Sequence, residues 1–442
     1  MREILGSVSP EKTGKIWMLL ARALRMARRT SVVSLADQAV VSSTNFLTGV
    51  IMGRVCSREE FGLYMLGLSI ILLANEFQTS LIATSYMVHS PKLKEFALTV
   101  YTGSAVMHQW ALTGCMLLVL GIGWLSGVFG FGPDGLETVI SSLGLTLGFI
   151  LFREFIRKVC FARMNMSSAL KIDVMASMLQ MGMLIAFAAC GILTAAVAFQ
   201  AAGFACLAAG FVWLWSWRDR YSMQPSKFAA DFAASWSLGK WVFASGALWT
   251  VSMNVYPWLL ASFHGAAAAG VWGACLGAVA LSNPALAGIQ NYLGPKISVT
   301  LVEYGVGTLR RLAIRMNVIV MALMTVFSLG MFFWGGRLVV FMYGAKYSGA
   351  GMVVSILAVG TAFSTGGFIF SRTLFAMNRA DIDFYVNFSA LIVLMAAGIP
   401  MVFAWGPLGA ALGMVCAHLI STGLRAIAVF TLMRARGNGS AP

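Results

Sequence analysis

Long apolar stretches recur along the whole chain, and short segments rich in charged residues separate them. Most of these stretches are long enough for an α-helix to cross the hydrocarbon core of a bilayer, which takes about 20 residues. The pattern therefore predicts an all-α polytopic membrane protein with twelve spans. The predicted spans are residues 31–52, 62–85, 98–124, 136–155, 172–190, 195–215, 241–262, 267–290, 313–334, 350–371, 384–404 and 408–431.

The composition supports this prediction, because 59% of the residues are hydrophobic and only 11% are charged. A soluble domain carries roughly 25% charged residues. The mean hydropathy of +0.82 is also too high for a water-facing surface. A soluble protein is therefore excluded. We interpret the formal net charge of +15 as basic residues in the loops between spans, rather than as a sign of nucleic-acid binding.

The basic residues lie mostly in alternate loops. With the N-terminus inside, 27 of the 31 Lys and Arg residues fall on the cytoplasmic side. Such a bias predicts that both termini are cytoplasmic. The four residues on the other side are Arg54, Arg58, Arg337 and Lys346.

Residues 1–30 form a basic leader ahead of the first span, without a clean small-residue cleavage site. We therefore expect the first span to remain in the membrane. The leader is amphipathic on helical spacing, which predicts a helix lying on the inner membrane surface; a disordered positively charged tag is the alternative. Its basic face comprises Lys15, Arg22, Arg25 and Arg29, and its apolar face Ile16, Leu20, Leu24 and Ala27.

The sequence contains seven dispersed cysteines without a C-x-x-C pair, and none of its four histidines lies near another. This spacing gives no indication of a disulfide framework or a zinc site. We expect neither a metal nor a bound cofactor.

Two sequence echoes predict an internal repeat with a substrate site between its halves. The alternative is chance recurrence of small residues in helix-packing faces. One echo pairs Ser43-x-Asn45 and Gly62-Leu63-Tyr64 with Ser252-x-Asn254 and Gly270-Val271-Trp272, and the other pairs Phe161-Ala162-Arg163 with Phe375-Ala376-Met377.

The repeat divides the chain into two six-helix bundles of the same orientation, related by a pseudo-two-fold axis along the membrane normal. This arrangement is typical of alternating-access transporters. The predicted parts are the leader 1–30, an N-terminal bundle 31–216, a cytoplasmic linker 217–240, a C-terminal bundle 241–432 and a cytoplasmic tail 433–442.

Several motifs resemble bacterial polysaccharide-export flippases of the O-antigen type, within the superfamily that also holds the MATE drug antiporters and the lipid II flippase. The resemblance implies a V-shaped transporter of twelve to fourteen helices in the bacterial inner membrane, which flips a polyprenyl-diphosphate-linked oligosaccharide for polysaccharide biosynthesis. The motifs are Asp37-Gln38-Ala39 with Asn45-Phe46, Gly53-Arg54, Glu60-Phe61-Gly62-Leu63-Tyr64, Arg153-Glu154-Phe155 with Arg157, Phe161-Ala162-Arg163, and Phe341-x-Tyr343-Gly344-x-x-Tyr347.

Two acidic residues inside predicted spans, Asp37 and Glu76, are candidates for coupling transport to an H⁺ or Na⁺ gradient. An ionised group in hydrocarbon is costly, and a carboxylate that alternates between protonated or cation-bound and free states can drive a conformational change. Asp37 also resembles the acid on the first helix of MATE relatives. The alternative is a buried ion pair that fixes helix packing.

Four arginines near span ends are candidates for binding a diphosphate headgroup, because guanidinium groups bind phosphate oxygens bidentately. Ordinary positive-inside charge is the alternative. A polar stripe on the third span, and a histidine that shares a helix face with one of the arginines, are candidates for lining a sugar path; interhelical hydrogen bonding explains the stripe almost as well. These candidates are Arg54, Arg153, Arg372, Arg425, Tyr101, His108 and His418.

The sequence therefore predicts a flippase that contacts membrane lipids, with polysaccharide assembly proteins as candidate partners. A MATE-type drug antiporter is the open alternative, although the basic residues favour an anionic lipid-linked substrate. A membrane glycosyltransferase built on Glu59 and Glu60 is disfavoured by the short outer loops. A membrane acyltransferase is disfavoured because His264 and His418 lack a partner motif.

Overall fold

The structure is a computed structural model that describes residues 10–128 and 132–437. The described residues form fourteen α-helices joined by short turns. The helices are α1 Pro10–Val55, α2 Arg58–Gln78, α3 Thr84–His89, α4 Glu95–Val128, α5 Leu136–Ala162, α6 Met166–Ala189, α7 Ala195–Ser216, α8 Phe228–Asn254, α9 Tyr256–His264, α10 Ala266–Val279, α11 Asn283–Tyr343, α12 Gly351–Ala376, α13 Ala380–Val393 and α14 Ile399–Gly437.

Eight helical stretches among the described residues are long and apolar enough to cross a membrane. Two of these contain a break: Gly305 in α11 (φ 74°) and Gly406 in α14 (φ 54°) leave the helical backbone conformation. Each break separates two predicted spans, and α1 and α8–α9 coincide with two more. The all-helical polytopic fold is confirmed. Hydropathy predicts loops at the two breaks, whereas the chain turns there within nearly continuous helices.

Side-chain caps mark the start of some of the other helices. The Ser57 Oγ accepts a hydrogen bond from the Glu60 amide (3.1 Å) at the start of α2. Asn165 accepts one from the Ser168 amide at the start of α6 (3.3 Å). Such caps satisfy amide groups that have no partner inside the helix.

Two helices extend far into segments that were predicted to lie outside the spans. Helix α1 runs from Pro10 to Val55 without a break, so the predicted leader and the first span form one helix; residues 1–9 lie outside the described chain. Helix α8 begins at Phe228, inside the predicted linker. The placement of the leader on the membrane surface stays a prediction.

We refer to helices α1–α7 and α8–α14 as the two halves, and the two groups share one buried core at one end. We call the end that holds the α1–α2 turn the outer end, as in the predicted topology, and the opposite end the inner end. The largest buried apolar cluster includes Phe61 and Leu143 from the first half and Trp272 and Val354 from the second. Towards the inner end each half has a separate core. The halves are therefore joined at the outer end and separate cores continue towards the inner end.

The contact at the outer end is symmetric between the two halves. A Cβ atom on Gly62 would lie 1.8 Å from the carbonyl oxygen of Ala266, and one on Gly270 would lie 2.1 Å from that of Arg58. Arg58 precedes Gly62 by the same interval as Ala266 precedes Gly270. The two glycines are the equivalent residues of the predicted repeat, and each lets α2 and α10 approach closely.

Candidate functional site

A cluster of charged side chains is buried inside the first half, between α1, α5 and α6. Arg153 Nε donates to Asp173 Oδ1 (2.8 Å). Arg157 Nη2 donates to Asp37 Oδ2 (3.0 Å), and its Nη1 donates to Glu154 Oε2 (3.0 Å). Arg157 Nε also lies 2.6 Å from Asp173 Oδ2, although its N–H is not directed at that oxygen. The cluster therefore ties three helices together.

This N-terminal cluster carries three carboxylates against two guanidinium groups, a net charge of −1 when all five are ionised. Asp37 and Asp173 are fully buried, and Asp37 Oδ1 has no hydrogen-bond partner among the described residues. An uncompensated charge in a buried site is costly. Uptake of one proton or one monovalent cation would neutralise the cluster.

The second half contains a smaller, electrically neutral cluster between α13 and α14. Arg425 Nε donates to Asp383 Oδ1 (2.7 Å), and its Nη2 donates to Asn387 Oδ1 (2.6 Å). His418 lies on the same helix and is 2% exposed. Its ring centroid is 5.9 Å from that of Trp249, and its Nε2 has no partner among the described residues.

Helix α1 presents different chemistry on its two faces. Asp37 and Thr48 lie on the buried face, where Thr48 Oγ1 accepts a hydrogen bond from Gln180 of α6 (3.1 Å). Gln38 and Ser42 are exposed on the other face and are hydrogen-bonded to each other (3.1 Å), and Asn45 is exposed one turn further on. Exposed polar side chains inside a span are typical of a helix that lines a water-filled cavity.

Glu76 lies where the two halves meet. Its Oε1 accepts a hydrogen bond from Ser80 (2.8 Å) and lies against Gly246 of α8. Within the described chain, no Lys or Arg comes within 4.0 Å of this carboxylate. Glu76 is separate from the N-terminal cluster that contains Asp37.

Arg54 lies at the outer end, where it connects the two halves together with Lys346. Arg54 Nη1 donates to the carbonyl of Phe341 (2.7 Å), in the last turn of α11. In return, Lys346 Nζ donates to the carbonyls of Arg54 (3.2 Å) and Cys56, at the end of α1. Cations favour such helix C-termini. Partial burial lowers the pKa of the Lys346 ammonium.

The remaining predicted site residues lie apart. Arg372 is exposed and stacks on Phe368, with 4.7 Å from its Cζ to the ring centroid. Tyr101 stacks on Tyr86 (5.7 Å between centroids). His108 is 5% exposed, and its Nε2 lies 2.9 Å from the carbonyl oxygen of Phe228 at the start of α8. His108 therefore connects the first half to the start of the second.

The structure thus brings Asp37 and Arg153 into one cluster and leaves the other predicted residues in different places. Sequence reasoning did not predict site roles for Arg157, Asp173, Glu154, Asp383 or Asn387. A signal was present for two of them, since Asp173 and Asp383 lie within or beside predicted spans. The described residues contain no group of three or more His, Cys, Asp or Glu side chains that could hold a metal ion.

The family model for polysaccharide biosynthesis proteins matches residues 28–301, more than half of the chain. The chain belongs to this family. The matched region includes the whole N-terminal cluster. No curated protein matches the chain in sequence.

Solved structures of the MOP superfamily of transporters share the fold of this polysaccharide biosynthesis protein. An inward-facing multidrug resistance MATE family transporter is 12% identical, with a TM-score of 0.75 over 92% of this chain and 100% of that one. An outward-facing MATE structure is 13% identical, with a TM-score of 0.59 over 93% of this chain and 96% of that one. A MOP superfamily transporter from Pyrococcus furiosus is 12% identical, with a TM-score of 0.64 over 93% of this chain and 96% of that one. At 12–13% identity, these likenesses show that the chain has the fold of these membrane transporters.

Proposed function

We propose that this protein is a transporter that flips a polyprenyl-diphosphate-linked oligosaccharide across the bacterial inner membrane by alternating access. The family match to polysaccharide biosynthesis proteins carries the proposal. A sugar headgroup cannot cross about 30 Å of hydrocarbon unaided, so a flippase must offer it a polar path. The exposed stripe of Gln38, Ser42 and Asn45 on α1 supports such a path.

The starting state is open towards the inner end. This is supported by the core shared between the halves at the outer end and by the separate cores towards the inner end. The higher TM-score to the inward-facing than to the outward-facing MATE structure agrees with it. In this state a lipid-linked substrate enters from the cytoplasmic leaflet, with its lipid tail in the bilayer and its headgroup between the halves.

The N-terminal cluster couples this cycle to an H⁺ or Na⁺ gradient. Its net charge of −1 accommodates one proton or one Na⁺, and Asp37 has an oxygen without a partner. Neutralising Asp37 weakens the contact of α1 with Arg157 of α5. Because α1 also carries the polar stripe, its packing links the ion site to the substrate path.

In this proposal arginines bind the diphosphate, and the candidates differ in how many of their N–H groups are available for phosphate. Arg153 and Arg425 are paired with carboxylates, so they have only their remaining N–H groups for phosphate. No carboxylate lies within ion-pair distance of Arg372 in the described chain. Arg54 lies near the exit at the outer end. A bidentate phosphate contact is lost when Arg is replaced by Lys, whereas a residue that serves only membrane topology tolerates Lys.

A MATE-type drug antiporter is the second candidate function, because multidrug resistance MATE structures share the fold. A binding experiment separates the two. The purified protein should be stabilised against heat by a polyprenyl-diphosphate-linked sugar and not by cationic dyes. Arg372→Lys should weaken that effect, and Arg218→Lys, at an exposed arginine outside the spans, should not. Stabilisation by cationic dyes alone would favour the antiporter.

A further inference from the structure

A second polar site lies at the inner end of the first half, away from the N-terminal cluster. It is a pocket of about 410 Å³ between the end of α3, the α5–α6 turn and the end of α7. Arg163, Asn165, Trp217, Arg220 and Ser90 are among the residues that line it. Polar and charged side chains therefore converge in a concave site of the size that small ligands occupy.

Two guanidinium groups share one aromatic platform in this pocket. The Cζ atoms of Arg163 and Arg220 lie 5.2 Å and 5.0 Å from the ring centroid of Trp217, which is 5% exposed. In the described part of the chain, neither guanidinium lies within 4.0 Å of a carboxylate. The pocket therefore holds two positive charges that no acidic side chain of the described chain neutralises.

The two arginines differ in what else they bind. Arg163 Nε donates to Tyr86 (3.1 Å), and its Nη2 donates to Thr102 (2.6 Å), which holds the guanidinium in place. The guanidinium of Arg220 is exposed and makes no hydrogen bond to the described residues. One fixed and one free guanidinium thus face the same volume, and their N–H groups are suited to phosphate oxygens.

Two further features of the pocket favour an anion. Helix α6 begins beside it, with Asn165 as its N-cap, and the N-terminus of a helix carries partial positive charge. Independently, Ser90 is only 3% exposed, and its Oγ has no hydrogen-bond partner among the described residues. A buried hydroxyl without a partner is costly unless a ligand or water completes it.

We propose that this pocket binds a phosphate group at the inner membrane surface. The chemistry suits two sources: the headgroup of an anionic phospholipid in the adjacent leaflet, and soluble phosphate or pyrophosphate. The site is independent of what the transporter carries. Arg220 lies in the segment that joins the halves, and in that segment the Ser222 amide donates to the Thr99 carbonyl (3.1 Å). A bound phosphate therefore fixes the start of this connection against the first half.

Native mass spectrometry of the purified full-length protein tests the lipid source. The protein is titrated with phosphatidylglycerol, and with phosphatidylcholine of the same chain length as the neutral-headgroup comparison. We expect wild-type protein to retain phosphatidylglycerol preferentially and Arg220→Gln to lose about tenfold in apparent affinity, equivalent to about 1.4 kcal/mol. Arg220→Lys should fall in between, because it keeps the charge and loses the planar fork.

Arg218→Gln is the matched control, because Arg218 is a neighbouring exposed arginine that stacks on Trp215 and lies 3.8 Å from Asp219. It should bind phosphatidylglycerol like wild type. In lipid-depleted detergent, a rise in thermal midpoint with pyrophosphate that Arg220→Gln abolishes would assign the site to soluble phosphate. The proposal would be overturned if Arg220→Gln bound both ligands with the same affinity as wild type. It would also be overturned if Arg218→Gln lost as much affinity as Arg220→Gln.

Discussion

The close contact between Gly62 and Gly270 gives the sharpest structural prediction. A Cβ on Gly62 would lie 1.8 Å from the Ala266 carbonyl oxygen, whereas real Cβ contacts essentially never fall below 3.0 Å. The opposing atom belongs to the backbone, so no side-chain rotation can relieve the clash. Helices α2 and α10 must therefore separate by roughly 1 Å in Gly62→Ala, in the manner of an overpacked core.

The cost follows from that overlap. Overpacking a tight contact costs about 1–3 kcal/mol, which is a change of about 5- to 150-fold in the ratio of closed to open outer ends. Gly270→Ala should have a similar effect, because its Cβ would lie 2.1 Å from the Arg58 carbonyl oxygen. Gly49→Ala is the control, since a Cβ there meets nothing within 4 Å and the gain in helix propensity is the same.

Amide hydrogen exchange measured by mass spectrometry reports the ratio of closed to open outer ends without added labels. Exchange in peptides from the start of α2 and from α10 should accelerate in Gly62→Ala and Gly270→Ala in proportion to the open population. Peptides from α5, which lies within one half, should be unchanged. Exchange in both variants equal to that of Gly49→Ala would refute the idea that this contact closes the outer end.

Three further predictions concern charged groups. Asp37→Asn should reduce ion-driven transport at least tenfold at unchanged expression, and Glu154→Gln, at a partly exposed residue of the same cluster, should reduce it less. If Asp37→Asn transports as fast as wild type in proteoliposomes, Asp37 has a packing role only. Arg425→Lys should lower the thermal midpoint by losing a contact to Asp383 or Asn387, a cost of about 1–3 kcal/mol, whereas Arg372→Lys should not. Arg54→Gln should favour opening of the outer end, seen as faster exchange in the last turn of α11, and unchanged exchange would contradict its role there.

Much of the fold was predictable, because few backbone conformations satisfy their own hydrogen bonds in hydrocarbon, and long apolar stretches indicate the helices that do so. The echo between the segments at Gly62 and Gly270 also had a structural meaning, since the two glycines pack against each other. The kinks at Gly305 and Gly406 were not predictable, because hydropathy does not distinguish a break inside a helix from a loop between two helices.

The candidate site was only partly predictable. Asp37 stood out as an acid inside an apolar span, but its partner Arg157 is 120 residues away in sequence. Spacing along one helix cannot identify a contact made by three helices. The same reason explains why Arg372 and Arg153, which the repeat placed at matching positions, differ: one stacks on Phe368 and the other pairs with Asp173.

The central claim is that this protein moves a lipid-linked oligosaccharide across a bilayer. The direct measurement is translocation in proteoliposomes, followed by a membrane-impermeant enzyme that modifies only sugar in the opposite leaflet, with and without an imposed H⁺ or Na⁺ gradient. We predict modification well above that in empty liposomes, accelerated by one of the gradients, and loss of that acceleration in Asp37→Asn. Modification no faster than in empty liposomes, together with gradient-driven export of a cationic dye, would contradict the claim.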